Sequence, residues 1–251
     1  MNQVGKNLFT VKSSFLLTLS LLHGVPIPAN SQISNNSYIE IGSNYASAGT
    51  YGSLSSRFSS KSGNFETTAG CLFTIPATKG NAFSALKLGA SNDFKLKRRK
   101  LNVGATYLFK PFSADLNETD FAILASYKTS HFGYALGLNS RIYCFNRAAT
   151  VKYNFPDSVK TSVWEPVNLM YRISYMDNIL PKLNYEISVT NYNQYLFQQE
   201  TNPMFLLNLN YKFGRKFQLY SELEYMQAGM VNIRVNYFGL CVRGGMVWQI
   251  N

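Results

Sequence analysis

Residues 203–251 contain four runs in which apolar and polar side chains alternate with a period of two. In the first run the apolar residues are odd-numbered, from Phe205 to Phe213, and Asn208 and Lys212 lie between them. Successive side chains of a β-strand point to opposite faces, so the pattern predicts strands that are apolar on one side only. At Phe238-Gly239 the apolar residues change to even numbers, as happens when a two-residue hairpin loop makes its flanking residues share a face. The sequence therefore predicts an antiparallel meander here.

Alternating runs of the same kind recur from Ile39 to Val189, and no stretch between them shows helical periodicity. They include short runs at 151–155 and 231–237, and together they predict about fourteen strands, with twelve as the alternative count. Many runs are long enough for a tilted strand to cross a bilayer. The connections between the runs are similar in length at both ends, so the sequence predicts no orientation. The hydrophobic content of 46% excludes a disordered chain.

Residues 1–31 have the features of a secretory signal, with Lys6 and Lys12 before the apolar run at 15–22 and a small-residue cleavage site at Ala29-Asn30-Ser31. An amphipathic or buried first helix is the alternative interpretation. Residues 32–251 are predicted to form one β domain. The chain has three cysteines without metal-site spacing, which predicts neither a disulfide framework nor a zinc site, and no cofactor is predicted.

Aromatic residues cluster near the ends of the predicted strands, as in the interfacial girdles of membrane barrels; Phe213, Tyr225 and Trp248 are examples. With the predicted signal and the meander, this pattern resembles the Gram-negative outer-membrane β-barrel proteins, a porin-like family. The resemblance implies a single antiparallel up-and-down transmembrane β-barrel in the outer membrane, with apolar side chains against lipid and polar side chains toward a lumen. A soluble periplasmic β-barrel or sandwich that binds a ligand has the same alternation and is the alternative.

The polar faces of the strands carry charged side chains that would line such a lumen and set its selectivity. These candidates are Glu66, Lys87, Arg141, Lys152, Arg172, Glu186, Glu222, Glu224, Arg234 and Arg243. A barrel of this size is wider than the eight-stranded barrels that side chains fill, and an excess of bases in it would favour anions. Pairing of these charges would instead occlude the lumen.

A basic segment between two predicted strands is the strongest local charge feature. It contains Lys95, Lys97, Arg98, Arg99 and Lys100. It could bind the phosphates of lipopolysaccharide or another anionic partner. The alternative is a solvated loop whose lysine stems cover Leu96. The chain has no nucleic-acid motif, so nucleic acid is not a predicted partner.

No catalytic residues are predicted. His131 is the one histidine after the predicted signal, and its spacing from Ser130, Asn139 and Ser140 matches no arrangement of nucleophile and base. The sequence leaves two functions open: a pore for small polar solutes, and a non-conducting barrel that serves as a surface scaffold, adhesin or partner-binding anchor. The oligomeric state is not indicated.

Overall fold

The alternating runs pair into antiparallel strands in a computed structural model of the chain. The structure describes residues 32–44, 49–75, 83–96, 99–111, 115–154, 156, 160–193, 198–214, 216–227 and 238–250. The elements, in chain order, are β1 (Gln32–Asn44), β2 (Gly49–Ser62), β3 (Phe65–Ile75), β4 (Phe83–Leu96), β5 (Arg99–Pro111), β6 (Leu116–Lys128), β7 (Phe132–Phe145), α1 (Arg147–Tyr153), β8 (Ser162–Leu180), β9 (Leu183–Asn193), β10 (Gln198–Phe213), β11 (Phe217–Gln227) and β12 (Phe238–Ile250).

Each strand pairs with its neighbours in sequence, and β1 also pairs with β12, so that the sheet closes into a barrel. At the closing seam, Tyr38 lies opposite Val247. Closure matters because an open edge would leave a row of unpaired backbone groups, which is not tolerated in lipid. The prediction of an all-β, up-and-down fold is confirmed. The predicted count of fourteen strands is not, since the described residues form twelve and the predicted strand at 231–237 lies outside them.

The two faces of the barrel differ in polarity as the alternation predicted. On β10, Phe205 is 42% exposed and Leu207 is also on the exterior. Met204 and Leu206, which alternate with them, are buried, Leu206 at 2% exposure. On β6 the exterior residue Ile123 is 63% exposed. Buried arginines and glutamates lie on the interior face. The barrel is therefore apolar outside and mostly polar inside, the reverse of a water-soluble domain.

Residues 147–153 form a short helix, α1, where the sequence predicted a strand through Val151 and Tyr153. The side chain of Asn146 accepts a hydrogen bond of 2.8 Å from the backbone N–H of Ala149, which caps the first turn. Asn154 ends the helix in a left-handed conformation with φ of 45°. This local capping outweighs an alternation only a few residues long. No helix in the described part of the chain is long and apolar enough to span a bilayer.

The connections differ in length between the two ends of the barrel. At the end we call the short-turn end, the connections comprise residues 63–64, 97–98, 129–131, 181–182 and 214–216. At the opposite, long-connection end they comprise residues 45–48, 76–82, 112–115, 146–161, 194–197 and 228–237. The expectation of similar lengths at both ends is therefore wrong.

Candidate functional site in the barrel interior

Most of the charged residues predicted to line a lumen lie on the interior face of the barrel. Those so placed are Glu66, Lys87, Arg141, Arg172, Glu186, Glu222, Glu224 and Arg243. Their effect on selectivity stays a prediction. Arg234 lies outside the described residues.

Lys152 does not lie in the barrel interior, so the prediction for this residue is wrong. It is exposed on α1 at the long-connection end, where its Nζ hydrogen-bonds the Tyr153 hydroxyl at 3.0 Å. That hydroxyl donates to Asp115 at 3.0 Å. The hydrogen bond to Tyr153 and the charge of Asp115 raise the pKa of Lys152. Its charge is thus held in a surface network outside the barrel.

One half of the interior, formed by β9–β12, is packed with side chains and holds a buried ion cluster. The guanidinium of Arg243 binds the carboxylates of both Glu222 and Glu224, and its Nη1 lies 3.2 Å from Cys241 Sγ. Arg243 and Glu222 face each other in the β11–β12 register and are each 1% exposed. Removing one member of such a buried cluster leaves the other charges buried without a partner, which lowers the free energy of unfolding by roughly 3–5 kcal/mol. We call this region the packed half.

A second ion cluster joins β5, β6 and β7. Arg141 Nε lies 3.1 Å from Asp120 Oδ1 and 3.3 Å from Glu118 Oε1. Lys110 Nζ approaches Glu118 at 3.2 Å, and Arg141 also donates to the Tyr143 hydroxyl at 3.1 Å. On the neighbouring wall, Arg172 and Glu186 pair at 2.8 Å. The strand-borne charges of both signs are therefore largely matched inside the barrel, which limits the desolvation cost of burying them.

A cavity of about 250 Å³ lies against the other half of the interior, formed by β2–β6, which we call the accessible half. Asn139, Met170 and Tyr192 of β7–β9 also border this cavity. Arg57, Glu66, Lys87 and Asp120 contribute charged groups to its lining, with the hydroxyls of Thr68 and Thr106. Interior positions with small side chains or none, namely Gly89, Ser91, Gly104 and Ala122, form part of the remaining wall. Larger residues, among them Leu108, Leu124 and Met170, form the rest. Unlike the residues of the packed half, most of the residues that line the cavity are partly accessible to water.

Sequence reasoning missed Arg57, Gly89 and Gly104. The run at 51–60 is rich in serine, and its apolar pattern rests on Leu54 and Phe58. Because Arg57 has the opposite parity to those two residues, the alternation alone could have placed it on the interior face. No pattern within a single strand predicts the cavity, because its wall combines residues from several strands.

The predicted basic segment lies in the hairpin between β4 and β5. Lys95 lies opposite Lys100 and Leu96 opposite Arg99 at the ends of β4 and β5, and Lys97 and Arg98 lie outside the described residues. Exposed lysines also occur in or beside every other connection of the short-turn end, namely Lys61, Lys128, Lys182, Lys212 and Lys216. Those in strands have interior parity. The hairpin is thus one part of a basic mouth that surrounds the opening of the barrel.

His131 lies in the short turn between β6 and β7. Its ring stacks on Tyr175 at 6.1 Å between centroids, and its Nδ1 is 4.0 Å from Asp177 Oδ1. Ser140 lies on β7 and accepts a hydrogen bond of 2.8 Å from the indole of Trp164. At about 3.3 Å per strand residue, roughly 30 Å of chain separates Ser140 from His131. The histidine and this serine are therefore not a catalytic pair.

No model of a known protein family matches this sequence, and no curated protein sequence matches it. Solved structures do match. The NanC porin is 11% identical, with a TM-score of 0.50 over 85% of this chain and 100% of the porin. An outer membrane channel from Pseudomonas putida F1 is 12% identical over 90% of this chain and 97% of the channel, with a TM-score of 0.48.

Outer membrane phospholipase A from Escherichia coli is 10% identical, with a TM-score of 0.43 over 85% of this chain and 92% of the enzyme. At these identities the similarity bears on the fold alone, and the match to the NanC porin carries it. The chain has the fold of the Gram-negative outer-membrane β-barrel proteins.

Proposed function

We propose that this protein is an outer-membrane channel for small polar solutes, with a preference for anions. The observation that carries the proposal is the charged, water-accessible cavity inside a barrel whose exterior is apolar. The predicted signal at residues 1–31, which lies outside the described residues, agrees with export.

The exterior suits a bilayer. Its exposed aliphatic side chains would be desolvated by lipid, which is favourable by about 25 cal/mol per Å² of apolar surface removed from water. Aromatic pairs lie near both ends of the strands: Phe217 stacks with Trp248 at 6.1 Å at the short-turn end, and Phe205 packs with Tyr225 at 6.3 Å toward the other. Such rings are typical of the two membrane interfaces.

The unequal connections give an orientation. Outer-membrane barrels have short turns on the periplasmic side and longer loops outside the cell. On this basis the basic mouth faces the periplasm, away from the outer leaflet that contains lipopolysaccharide. An anionic solute is therefore a better partner for Lys95 and Lys100 than lipopolysaccharide is. Lysines around an opening raise the local concentration of anions and favour their entry.

Conductance of the purified protein in a planar bilayer tests the proposal. We expect discrete current steps. In a gradient of potassium chloride, we expect a reversal potential whose sign shows that chloride is more permeant than potassium. Protein denatured by boiling in detergent provides the control. The absence of discrete steps from correctly folded protein would reject the channel, and a preference for potassium would reject the anion selectivity alone.

A non-conducting barrel is the second candidate, and the packed half favours it. Arg243, Glu222, Met204 and Leu206 leave no accessible space among themselves, and a similar closure of the remaining lumen would stop flow. Such a barrel would serve as a scaffold or binding anchor, and it would give no current in the same experiment. A hydrolase is not proposed, because His131 contacts Tyr175 and Asp177 and lies far along the chain from Ser140.

A further inference from the structure

We infer that Arg57 and Lys87, with the hydroxyl-bearing wall beside them, form a binding site for a small oxyanion that carries a carboxylate or phosphate group. The inference deepens the proposed function by naming the class of solute that the channel would hold. It does not depend on whether the solute passes through, because the site is a feature of the cavity itself.

The two bases flank a strand position that has no side chain. Arg57 on β2 lies opposite Gly70 on β3, and Gly70 lies opposite Lys87 on β4. Neighbouring strands are about 4.8 Å apart, so the Cα atoms of Arg57 and Lys87 are roughly 10 Å apart. Both side chains line the same cavity. With glycine between them, two long cationic side chains can approach one anion from either side, Arg57 with a planar fork that matches a carboxylate or phosphate.

The wall next to the bases exposes hydroxyl groups over bare backbone. Gly89 is the next interior position after Lys87 on β4, and a Cβ placed there would lie 2.6 Å from Thr68 Oγ1 and 3.9 Å from Thr106 Oγ1. At Gly104, a Cβ would lie 3.1 Å from the Cβ of Ser91. Glycine inside a strand is unfavourable relative to alanine because it loses more backbone freedom on folding. These two glycines make room for the side chains of Thr68 and Ser91, which therefore lie close to the backbone of the neighbouring strand.

The acidic residues of the cavity affect which sign of charge a bound solute can carry. Asp120 is bonded to Arg141 at 3.1 Å, so its charge is already matched by a base outside the cavity lining. Glu66 remains beside the two bases and can accept a hydrogen bond from a hydroxyl group of the solute. Two bases, several hydroxyl donors and one carboxylate suit a small hydroxylated oxyanion better than a cation or a neutral apolar molecule.

Equilibrium binding to the purified, detergent-solubilised barrel tests the site without requiring conduction. We expect calorimetric titration with inorganic phosphate, and separately with acetate, to show saturable binding of at least one probe; the two arms separate phosphate from carboxylate recognition. R57Q and K87Q should each weaken binding by about ten- to a hundredfold, as expected for the loss of a charge-assisted hydrogen bond. R57K should lose less, and T68V should show a smaller loss because it removes a neutral donor.

The matched control is K152Q, which removes a lysine charge on α1 outside the barrel and should bind as the original protein does. Each variant is first checked for the folded band of unheated protein on a gel, and T68V and R57K keep the test valid if a charge deletion prevents folding. Absence of binding to both probes, or equal losses in K87Q and K152Q, overturns the site. Binding by a barrel that gives no current supports the site and rejects the channel, whereas conduction without phosphate or acetate binding does the opposite.

Discussion

The packed half and the accessible half of the barrel are built from the same alternating strands, yet one is filled and the other is open. In the packed half, the interior positions of β10–β12 carry large side chains such as Leu206, Glu222 and Arg243, each at most 2% exposed. In the accessible half, the corresponding positions of β3–β5 include Gly70, Gly89 and Gly104, and a cavity remains. Side-chain volume at interior positions therefore decides where a barrel of this width is open to water.

The same difference changes what an interior charge does. Arg243 is enclosed by two carboxylates, so its main contribution is to stability: without it, Glu222 and Glu224 would be buried without a positive charge. Arg57 and Lys87 line a cavity, where their side chains can act on a solute. The packed half therefore has a structural role, and the accessible half is suited to binding. Four comparisons between substitutions test this division.

The largest effect is expected for R243M. It leaves Glu222 and Glu224 buried without their cation and should lower the free energy of unfolding by roughly 3–5 kcal/mol. Denaturant unfolding in lipid vesicles measures the loss, and combining R243M with E222Q and E224Q should recover most of it. The control is R57M in the accessible half, which should cost much less. If R57M and R243M proved equally costly, the two halves would not differ energetically.

Truncation of an apolar interior side chain should also depend on the half. Leu206 is enclosed, so L206A should leave an empty space and lower the free energy of unfolding by about 2–5 kcal/mol. Leu124 lines the existing cavity, so L124A enlarges a space that water already reaches and should cost less. The same unfolding experiment compares them. A larger loss for L124A would contradict the assignment of its surroundings as the accessible half.

Filling the cavity tests whether the accessible half conducts. Ala122 lines the cavity, and Ala125 lies on the same strand with exterior parity, opposite Val103 and Leu136. A122F should lower the single-channel conductance severalfold because a phenyl ring occupies the cavity. A125F adds the same volume toward the lipid and should leave the conductance unchanged. An unchanged conductance in A122F would place the conducting path elsewhere.

The smallest effect is expected at the basic mouth. Lys95 and Lys100 face each other at the ends of β4 and β5, and K95Q with K100Q should modestly reduce the anion preference measured by the reversal potential. The change should be clear at 0.1 M salt, where the Debye length is about 10 Å, and weak at 1 M, where it is about 3 Å. K152Q again serves as the control. A change that persists at 1 M salt would indicate a direct binding role instead of long-range attraction.

Much of the fold was predictable because a period of two is a local property. From Phe205 to Phe213 the sequence shows which side chains share a face, and the structure exposes that face. The polarity of that face predicted an all-β meander. The two-residue turn predicted at Phe238-Gly239 is wrong, because both residues lie within β12, opposite Gln227 and Met226. The helix at 147–153 was not predictable from alternation, because Val151 and Tyr153 satisfy the pattern while the capping hydrogen bond of Asn146 selects a helical turn.

The candidate site was less predictable from the sequence than the fold was. The sequence predicts that Lys87 lies on a polar face. It does not predict that Lys87 lies across Gly70 from Arg57, because that arrangement depends on the register of three strands. Register and closure are collective: they are set by backbone hydrogen bonds around the whole ring and by residues far apart in the chain. The sequence by itself thus determined the polarity of each strand face and the alternation of direction. Only the tertiary structure decided the number of strands and the pairing of β1 with β12. It also decided where the interior stays open, since the cavity is the space that interior side chains leave within a ring of given circumference.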